Sequence, residues 1–234
     1  MTDLDFKSIS QARELRPYTA PHVREKGRLI VDDPLESRLL DVLGAAALLI
    51  LFAPFMVLIA LAIYIATPGP IFFAQTRIGR DGKLFECYKF RTMAVDAEAR
   101  LANLLATDPA ARLEWGRDHK LRNDPRIVGI GRFLRKSSLD ELPQLWNVLR
   151  GEMSLVGPRP IVSGELPRYG KYIVYYMAVR PGLTGLWQIN GRNDVSYRRR
   201  VAYDVIYARK SRTGDNLRIL LMTVPSVVAS RGSY

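Results

Sequence analysis

The stretch VLGAAALLILFAPFMVLIALAIYIA, residues 42–66, decides the architecture of this chain. It contains no charged side chain, and it is apolar throughout apart from Gly44, Pro54 and Tyr64. As a single helix it is roughly 37 Å long, which is enough to cross a bilayer. A buried core helix of a soluble domain is the alternative, but such helices are usually shorter and have a polar face. The stretch therefore predicts a membrane-associated helix.

The flanks and the centre of this stretch bear on whether the helix crosses the bilayer. Basic side chains lie on both sides: Arg24, Lys26, Arg28 and Arg38 before it, and Arg77, Arg80 and Lys83 after it. Positive charge prefers the cytoplasmic side of a span, so a crossing helix would put one of these clusters outside. Pro54 removes a backbone hydrogen bond near the middle and predicts a kink. We therefore favour a proline-kinked, re-entrant helix over a kinked transmembrane helix.

Composition and charge limit the classes of function. The 234-residue chain has 35 Lys and Arg against 23 Asp and Glu, a formal net charge of +12. This balance implies an anionic partner, which can be nucleic acid, an anionic membrane face or a phosphorylated substrate. A single cysteine, Cys87, excludes an intrachain disulfide, and His22 and His119 have no partner motif that indicates a metal site.

Residues 1–37 are polar and predict a mobile tail, not a secretory signal.

Turn and helix signals predict a mixed α/β domain after the apolar helix. Residues 71–93 predict a β-hairpin with Asp81-Gly82 at its turn. Helices are expected at 95–120, restarted at Asp108-Pro109, and at 139–150, 195–210 and 217–230; residues 179–192 are expected to be loops. The last helix carries an apolar stripe that suits either the membrane surface or the core.

The residues that can carry chemistry concentrate in KLRNDPRIVGIGRFLRKSSLDELPQLWNVLRGEMSLVGPRP, residues 120–160. Asp140 and Glu141 lie where a loop becomes a helix. One interpretation is structural: Asp140 is the N-cap ahead of Pro143, or Ser138 caps and Glu141 reaches back in a capping box. The other interpretation is catalytic, with Asp140 as a nucleophile.

Cationic side chains near this acidic pair favour the catalytic interpretation. Lys89 and Arg91 are two apart on the return strand of the hairpin, so they are expected on one face. If such cations converge near Asp140, they form a site for a diphosphate and depress the pKa of the Asp140 carboxyl, which keeps it ionised. The cations concerned are Lys89, Arg91, Arg132, Arg135, Lys136 and Arg159.

Five motifs follow one another along the chain: KFRTM at 89–93, NDPR at 123–126, LRKSSLDELPQ at 134–144, GEMSLVGPRP at 151–160 and RPGLTGLWQ at 180–188. Together they resemble the bacterial sugar transferase family, the monotopic polyprenol-phosphate phosphoglycosyl transferases. The resemblance runs from about residue 36 to the C-terminus. The chain length and the ending SRGSY, residues 230–234, are similar to the galactosyl-phosphate transferases that initiate exopolysaccharide synthesis.

The resemblance implies a small membrane-associated α/β catalytic domain, made of helices with a short β-hairpin, on a re-entrant helix kinked at Pro54. It places the catalytic dyad on Asp140 and Glu141. The aspartate attacks the β-phosphorus of a UDP-sugar, UMP leaves, and the resulting phosphosugar-aspartate is attacked by undecaprenyl phosphate. The implied sugar is galactose, with glucose next, and the implied cofactor is Mg²⁺, held near the dyad.

The resemblance also implies roles for further residues and an organisation of the chain. Its phosphate-binding arginines fall on Arg135 and Arg159, beside the cations Lys89 and Arg91. Nucleotide or structural roles fall on Asp124, Arg126, Gln188 and Arg192. The expected organisation is a flexible tail at 1–37, a re-entrant membrane helix at 38–67 and a cytoplasmic transferase domain at 68–234. The implied location is the cytoplasmic face of the bacterial inner membrane, and a homodimer is an open expectation that no sequence feature supports.

Two positions depart from the family pattern. Ala53 stands where the family commonly has serine before the kink proline, which bears on the kink and not on the chemistry. Asn216 stands where the family commonly has an acidic residue near the start of the last helix, and the adjacent Asp215 is the candidate substitute.

Three other functions compete with this transferase. A basic, membrane-tethered module could hold nucleic acid or anionic lipid, but its basic residues would alternate with exposed aromatics, whereas here they cluster at turns and beside carboxylates. We therefore expect no nucleic-acid partner. A scaffold for other polysaccharide enzymes would not need Asp140. A glycosyltransferase that moves only the sugar is suggested by the metal-motif spacing of Asp3-Leu4-Asp5, which lies in the tail.

Overall fold

The computed structural model describes residues 24–25, 28–29, 34–118, 121, 123–191, 195–210 and 212–228. The strands, in chain order, are β1 (Arg24–Glu25), β2 (Arg28–Leu29), β3 (Phe72–Ile78), β4 (Leu84–Phe90), β5 (Ser154–Val156) and β6 (Gly182–Thr184). The helices are α1 (Leu35–Ala66), α2 (Ala97–Thr107), α3 (Pro109–Asp118), α4 (Gly131–Ser137), α5 (Gln144–Arg150), α6 (Leu166–Tyr169), α7 (Ile173–Ala178), α8 (Leu186–Ile189), α9 (Tyr197–Lys210) and α10 (Thr213–Val228). Short 3₁₀ segments lie at Arg80–Gly82, Leu139–Glu141, Ser163–Glu165 and Gly170–Tyr172. This arrangement confirms the predicted mixed α/β domain with a hairpin and one apolar N-terminal helix.

Helix α1 is the apolar helix that the sequence predicts. It has 32 residues, is roughly 48 Å long, and continues through Pro54. It is long and apolar enough to cross a membrane, and only 11% of its most apolar window is buried inside the protein. Its exposed large side chains form an extended apolar surface that includes Leu43, Ile50, Leu51, Phe55, Leu58, Leu61 and Ile65. In the segment expected to be a mobile tail, β1 and β2 pair as antiparallel strands.

Both halves of α1 pack against the rest of the domain. Near its start, the Arg38 guanidinium donates to the carbonyls of Val148 and Leu149 at the end of α5 (2.8 and 3.0 Å). Near its end, Ile59 and Ile63 are buried in a cluster with Phe90 and Leu134. The helix is therefore held to the domain near both of its ends, and its buried residues lie only there.

The β3–β4 hairpin is antiparallel, in register from Phe72 opposite Phe90 to Ile78 opposite Leu84. The predicted turn is confirmed, and Asp81 adopts the left-handed conformation there (φ 61°), which Asp tolerates better than most residues. The bridge between Ile78 and Ile161 attaches the hairpin to the segment after residue 160.

A second small sheet corrects one prediction. Residues 179–192, expected to be loops, contain β6, which pairs in parallel with β5, and the short helix α8. The glycines that suggested loops allow close packing instead: a Cβ at Gly182 would lie 2.6 Å from the Cα of Gly157. Glycine is needed where two backbone segments approach this closely.

The main core lies between α1, α5, α10 and two of the sheets, β3–β4 and β5–β6. Its buried members include Ala45, Phe85, Leu145, Val148, Met153, Leu155 and Ile219. The carboxylate of Asp41 in α1 accepts hydrogen bonds from the Leu155 N–H (2.8 Å) and the Ser154 hydroxyl (2.9 Å), so the apolar helix is also pinned to β5 by polar contacts. Strand β5 leads directly into residues 157–160, which carry Arg159.

Candidate active site

The Asp140–Glu141 pair lies in a sharp turn between α4 and α5. Helix α4 ends at Ser137, the following Ser138 is left-handed (φ 59°), and residues 139–141 form one 3₁₀ turn. For a residue other than glycine this conformation costs roughly 1–2 kcal/mol, and such strain concentrates at functional sites. Both structural interpretations of the pair are wrong, because neither Ser138 nor the N-cap of α5, which is Pro143, makes a side-chain capping bond. The two carboxylates are thereby available to other groups.

The hairpin supplies the main cation at this acidic pair. The Lys89 ammonium donates to Glu141 Oε1 at 2.5 Å and lies 3.8 Å from Asp140 Oδ2. Asp140 is only 8% exposed. Arg159 approaches from the other side, with Nη1 4.0 Å from Glu141 Oε1. The structure thus brings together Lys89, Arg159 and the dyad, which are separated by up to 70 positions in sequence.

The two carboxyl groups have opposite pKa shifts. Burial raises the pKa of Asp140 to about 6, although Lys89, Arg135 and Arg159 oppose this rise. Burial also acts to raise the pKa of Glu141, but Lys89 and Arg159 outweigh it, and the net pKa is lowered. The nearby cations lower the pKa of Asp140, as predicted, but the expected net depression is wrong, because desolvation exceeds their attraction. At neutral pH Asp140 is still mostly ionised.

Arg77 is a further residue of the site, which the sequence indicated only as a basic flank of the apolar stretch. Its guanidinium donates to the Pro160 carbonyl oxygen at 2.9 Å, next to Arg159 in sequence. Burial, and then the like charge of Arg159, lower the pKa of Arg77. In β3, which pairs with β4, Arg77 lies four residues from the position opposite Lys89. The register of the hairpin, which puts Arg77 on the same face as Lys89, could have suggested that the two side chains belong to one site.

A cleft connects these groups. Its lining residues are Arg77, Cys87, Lys89, Glu141, Gln144, Arg159, Pro160, Gly182, Leu183 and Gln188. Three cations and one carboxylate face it, so the cleft suits an anionic ligand. The predicted Gln188 is in this lining, where its side-chain amide donates to the Leu183 carbonyl (3.2 Å). Arg192 lies outside the described residues.

The predicted pair Asp124 and Arg126 forms its own closed ion pair. The Arg126 guanidinium donates to both carboxylate oxygens of Asp124, the shortest contact being 2.6 Å, and its backbone N–H donates to Oδ1. Arg126 also lies over the Trp115 ring, 4.9 Å from the centroid. Of the two predicted roles, these contacts favour the structural one. The charge of Arg135 lowers the pKa of both Asp124 and Asp140, so its guanidinium is within electrostatic range of the two carboxylates.

Arg91 lies elsewhere than predicted. Its buried guanidinium donates to the carbonyls of Thr67 (2.6 Å) and Pro68 (3.0 Å), just after the end of α1. Strand β4 ends at Phe90, so the alternation that should have put Arg91 beside Lys89 no longer applies. The expectation that the two share one face is wrong, and the contacts of Arg91 stabilise the junction between the apolar helix and the hairpin.

Asn216, which stands where the family commonly has an acidic residue, has a structural role in this chain. The single hydroxyl proton of Tyr207 is directed to the Val156 carbonyl oxygen (2.7 Å), and the buried Asn216 Oδ1 lies 3.1 Å from the same hydroxyl. The neighbouring Asp215 accepts from the Arg212 N–H (3.0 Å) at the start of α10. Its carboxylate therefore caps this helix.

Comparison with known proteins identifies the family of this chain. The chain matches the bacterial sugar transferase family over residues 33–230. It is 48% identical to the UDP-galactose-lipid carrier transferase of Erwinia amylovora and 49% identical to the undecaprenyl-phosphate galactose phosphotransferase of Salmonella typhimurium, over 84% of this chain in each case. It spans only 41% of the length of each of these two proteins. It is also 48% identical to the exopolysaccharide production protein ExoY of Rhizobium meliloti, over 93% of this chain and 96% of that protein. The chain therefore belongs to the bacterial sugar transferase family.

Proposed function

We propose that this chain transfers a hexose 1-phosphate from a UDP-sugar to undecaprenyl phosphate and releases UMP, as the first membrane step of exopolysaccharide synthesis. Galactose is the favoured sugar and glucose the next. The observation that carries the proposal is the acidic pair itself: Asp140 is nearly buried, Glu141 is bonded to Lys89, and Arg159 faces both across a cationic cleft. The names of the Erwinia and Salmonella relatives support galactose and a lipid carrier.

The chemistry divides into two displacements at one phosphorus atom. An Asp140 carboxylate oxygen attacks the β-phosphorus of the UDP-sugar, the bond to the bridging oxygen breaks, and UMP leaves with the electron pair. An oxygen of the lipid phosphate then attacks the same phosphorus, and the Asp140 carboxylate is released. Because the Asp140 pKa is about 6, the group is ionised at neutral pH and more basic than an ordinary carboxylate, as a nucleophile requires.

The cations stabilise the charge that develops during both displacements. Lys89 and Arg159 lie next to the carboxylates, and Arg77 holds the Pro160 carbonyl beside Arg159. The Arg159 side chain is 45% exposed and its contact with Glu141 is long, so it can turn to a phosphate oxygen without breaking a close ion pair. We assign Lys89, Arg135 and Arg159 to the phosphate groups of the substrates.

We further propose Mg²⁺ as the cofactor, with Asp140 and Glu141 as its protein ligands. Among residues 34–118, 121, 123–191, 195–210 and 212–228, no group of three or more His, Cys, Asp or Glu side chains is placed to hold a metal ion. Two adjacent carboxylates still fit Mg²⁺, which is usually held by one or two carboxylates together with substrate phosphates and water. When bound, the ion would neutralise charge on the diphosphate.

Helix α1 anchors the enzyme to the cytoplasmic face of the bacterial inner membrane, and we propose that it enters and leaves the membrane on that side. Contacts with the domain at Arg38 and at Ile63 lie about 37 Å apart along the helix, which exceeds the thickness of the hydrocarbon core. A helix that crossed the bilayer would have to give up one of these two sets of contacts. The exposed apolar side chains between them would lie in the lipid.

The test of the reaction is the identity of the nucleotide product. Detergent-solubilised protein is mixed with UDP-galactose, Mg²⁺ and undecaprenyl phosphate, with each component left out in turn. We expect UMP together with a lipid-linked galactose phosphate. UDP as the product would mean that only the sugar moves, which would exclude the covalent role of Asp140.

The test of the topology uses a reporter fused to either end of the chain in intact cells. We expect both reporters on the cytoplasmic side. Reporters on opposite sides of the membrane would contradict the re-entrant anchor and leave the reaction untouched.

A further inference from the structure

An exposed aromatic side chain lies directly beside the lysine of the dyad. In the hairpin register, Phe73 of β3 is opposite Lys89 of β4. Residues opposite each other in an antiparallel pair point to the same face, with Cβ atoms about 5 Å apart. Phe73 is 50% exposed, whereas Lys89 reaches inward to Glu141. One face of the hairpin therefore presents an aromatic ring next to the cation of the active site.

The same end of the hairpin is attached to the apolar helix. The neighbouring Phe72 stacks on Phe90, with ring centroids 5.4 Å apart, and Phe90 is buried against Ile59 and Ile63 of α1. Strand β3 begins six residues after α1 ends. Phe73 is thus at the end of β3 that is nearest in sequence to α1, opposite the lysine whose ammonium group faces the acidic pair.

We propose that Phe73 binds the first isoprenoid units of the lipid acceptor, next to the phosphate group that Lys89 attracts. This inference rests on the proposed function. The acceptor is an anion joined directly to an apolar chain, and the adjacent Lys89 and Phe73 match those two parts. The UDP-sugar carries no apolar chain next to its diphosphate, so it lacks the part that the exposed phenyl ring matches in the acceptor. Phe73 is therefore a specificity residue for the acceptor and not for the donor.

The experiment compares Phe73→Ala with Leu84→Ala. Leu84 is the matched control, because it is an exposed apolar residue (64%) of the same hairpin at the end far from Lys89. For Phe73→Ala we expect the KM for undecaprenyl phosphate to rise about ten-fold, because the acceptor loses its apolar contact with the exposed half of the phenyl ring. The KM for UDP-galactose should not change. Leu84→Ala should change neither constant.

Further measurements separate this effect from misfolding and from general membrane binding. Phe73→Leu keeps an apolar side chain and should restore most of the acceptor affinity. Binding to vesicles of phosphatidylethanolamine and phosphatidylglycerol should be the same in all variants, because α1 provides the anchor. A short, water-soluble polyprenyl phosphate should show the same Phe73→Ala defect, since the contact is with the first units of the chain.

Several outcomes would overturn the proposal. They are an unchanged acceptor KM in Phe73→Ala, an equal rise in the KM for UDP-galactose, or a loss of vesicle binding that accounts for the effect. Failure of the proposed function would look different: the unmodified protein would release no UMP from any UDP-sugar.

Discussion

Replacing Lys89 by methionine tests the electrostatics of the acidic pair. Lys89 lies 3.8 Å from Asp140 Oδ2 and bonds directly to Glu141. At an effective dielectric of about 20, a charge pair at that distance interacts by roughly 4 kcal/mol, an upper bound of about 3 pKa units. The Lys89 and Asp140 side chains keep some solvent contact (22% and 11% exposed), so we expect about half of that. Removal of the ammonium should therefore raise the pKa of Asp140 from about 6 to about 7.5.

The expected result is a shift of the acid limb of the activity profile to higher pH. Asp140 must be deprotonated to attack, so a raised pKa removes activity at low pH in addition to the pH-independent loss that follows from the missing Lys89–phosphate contact. At pH 7 the ionised fraction should fall from about nine-tenths to roughly a quarter. The assay is the initial rate of UMP release, as kcat/KM, measured from about pH 5 to about pH 9. Lys83→Met, an exposed change in the same hairpin, is the control and should leave the profile unshifted.

A pH-independent loss of activity would refute this reasoning. If Lys89→Met lowered kcat/KM by the same factor at every pH, Lys89 would act on the substrate alone. An acid limb that stayed near pH 6 would likewise mean that burial, without Lys89, sets the Asp140 pKa.

Three further changes test the surroundings of the site. Asp41→Ala leaves the buried Leu155 N–H without its acceptor and should lower the free energy of unfolding by about 1–3 kcal/mol. Thermal unfolding in detergent measures this change, and an unchanged midpoint would mean that the contact between α1 and β5 does not stabilise the fold. Burial raises the pKa of Asp204 to about 7, so the folded state binds a proton more tightly and stability should fall as pH rises from about 4 to about 7. Asp204→Asn should remove most of this dependence of stability on pH, and an unchanged dependence would contradict the raised pKa of Asp204. Gly157→Ala puts a methyl group 2.5 Å from a backbone oxygen, so Arg159 should move and kcat/KM should fall by up to about 100-fold; full activity would show that the turn can adjust.

Features that depend on a few neighbouring residues could be predicted from the sequence. The hairpin turn at Asp81-Gly82 and the restart at Pro109 are set by local backbone preferences, and the Asp108 carboxylate indeed accepts the N–H of Ala110 (2.8 Å) at that restart. Gly151 ends α5 in the left-handed conformation (φ 78°), as a glycine after a helix usually does. The long apolar helix could be predicted from the length and composition of residues 42–66 alone.

Features that depend on tertiary contacts could not be predicted in this way. Arg91 and Lys89 are two apart in sequence, but the strand ends between them and Arg91 bonds to the end of α1. The shift of the Asp140 pKa required knowing that desolvation exceeds the attraction of the cations. Arg77 belongs to the cleft only because β3 pairs with β4 and the Pro160 carbonyl comes within 2.9 Å. Single residues at the site therefore needed the three-dimensional arrangement, even though the motifs around them were recognisable.

The most direct test of the central claim is the mass of the protein after mixing with UDP-galactose in the absence of a lipid acceptor. We predict a mass increase of one galactosyl phosphate on the peptide that contains Asp140, accompanied by UMP and removed when undecaprenyl phosphate is added. Asp140→Asn should show neither the adduct nor turnover while still binding vesicles. An adduct on another residue, or normal turnover by Asp140→Asn, would contradict the assignment of Asp140 as the nucleophile.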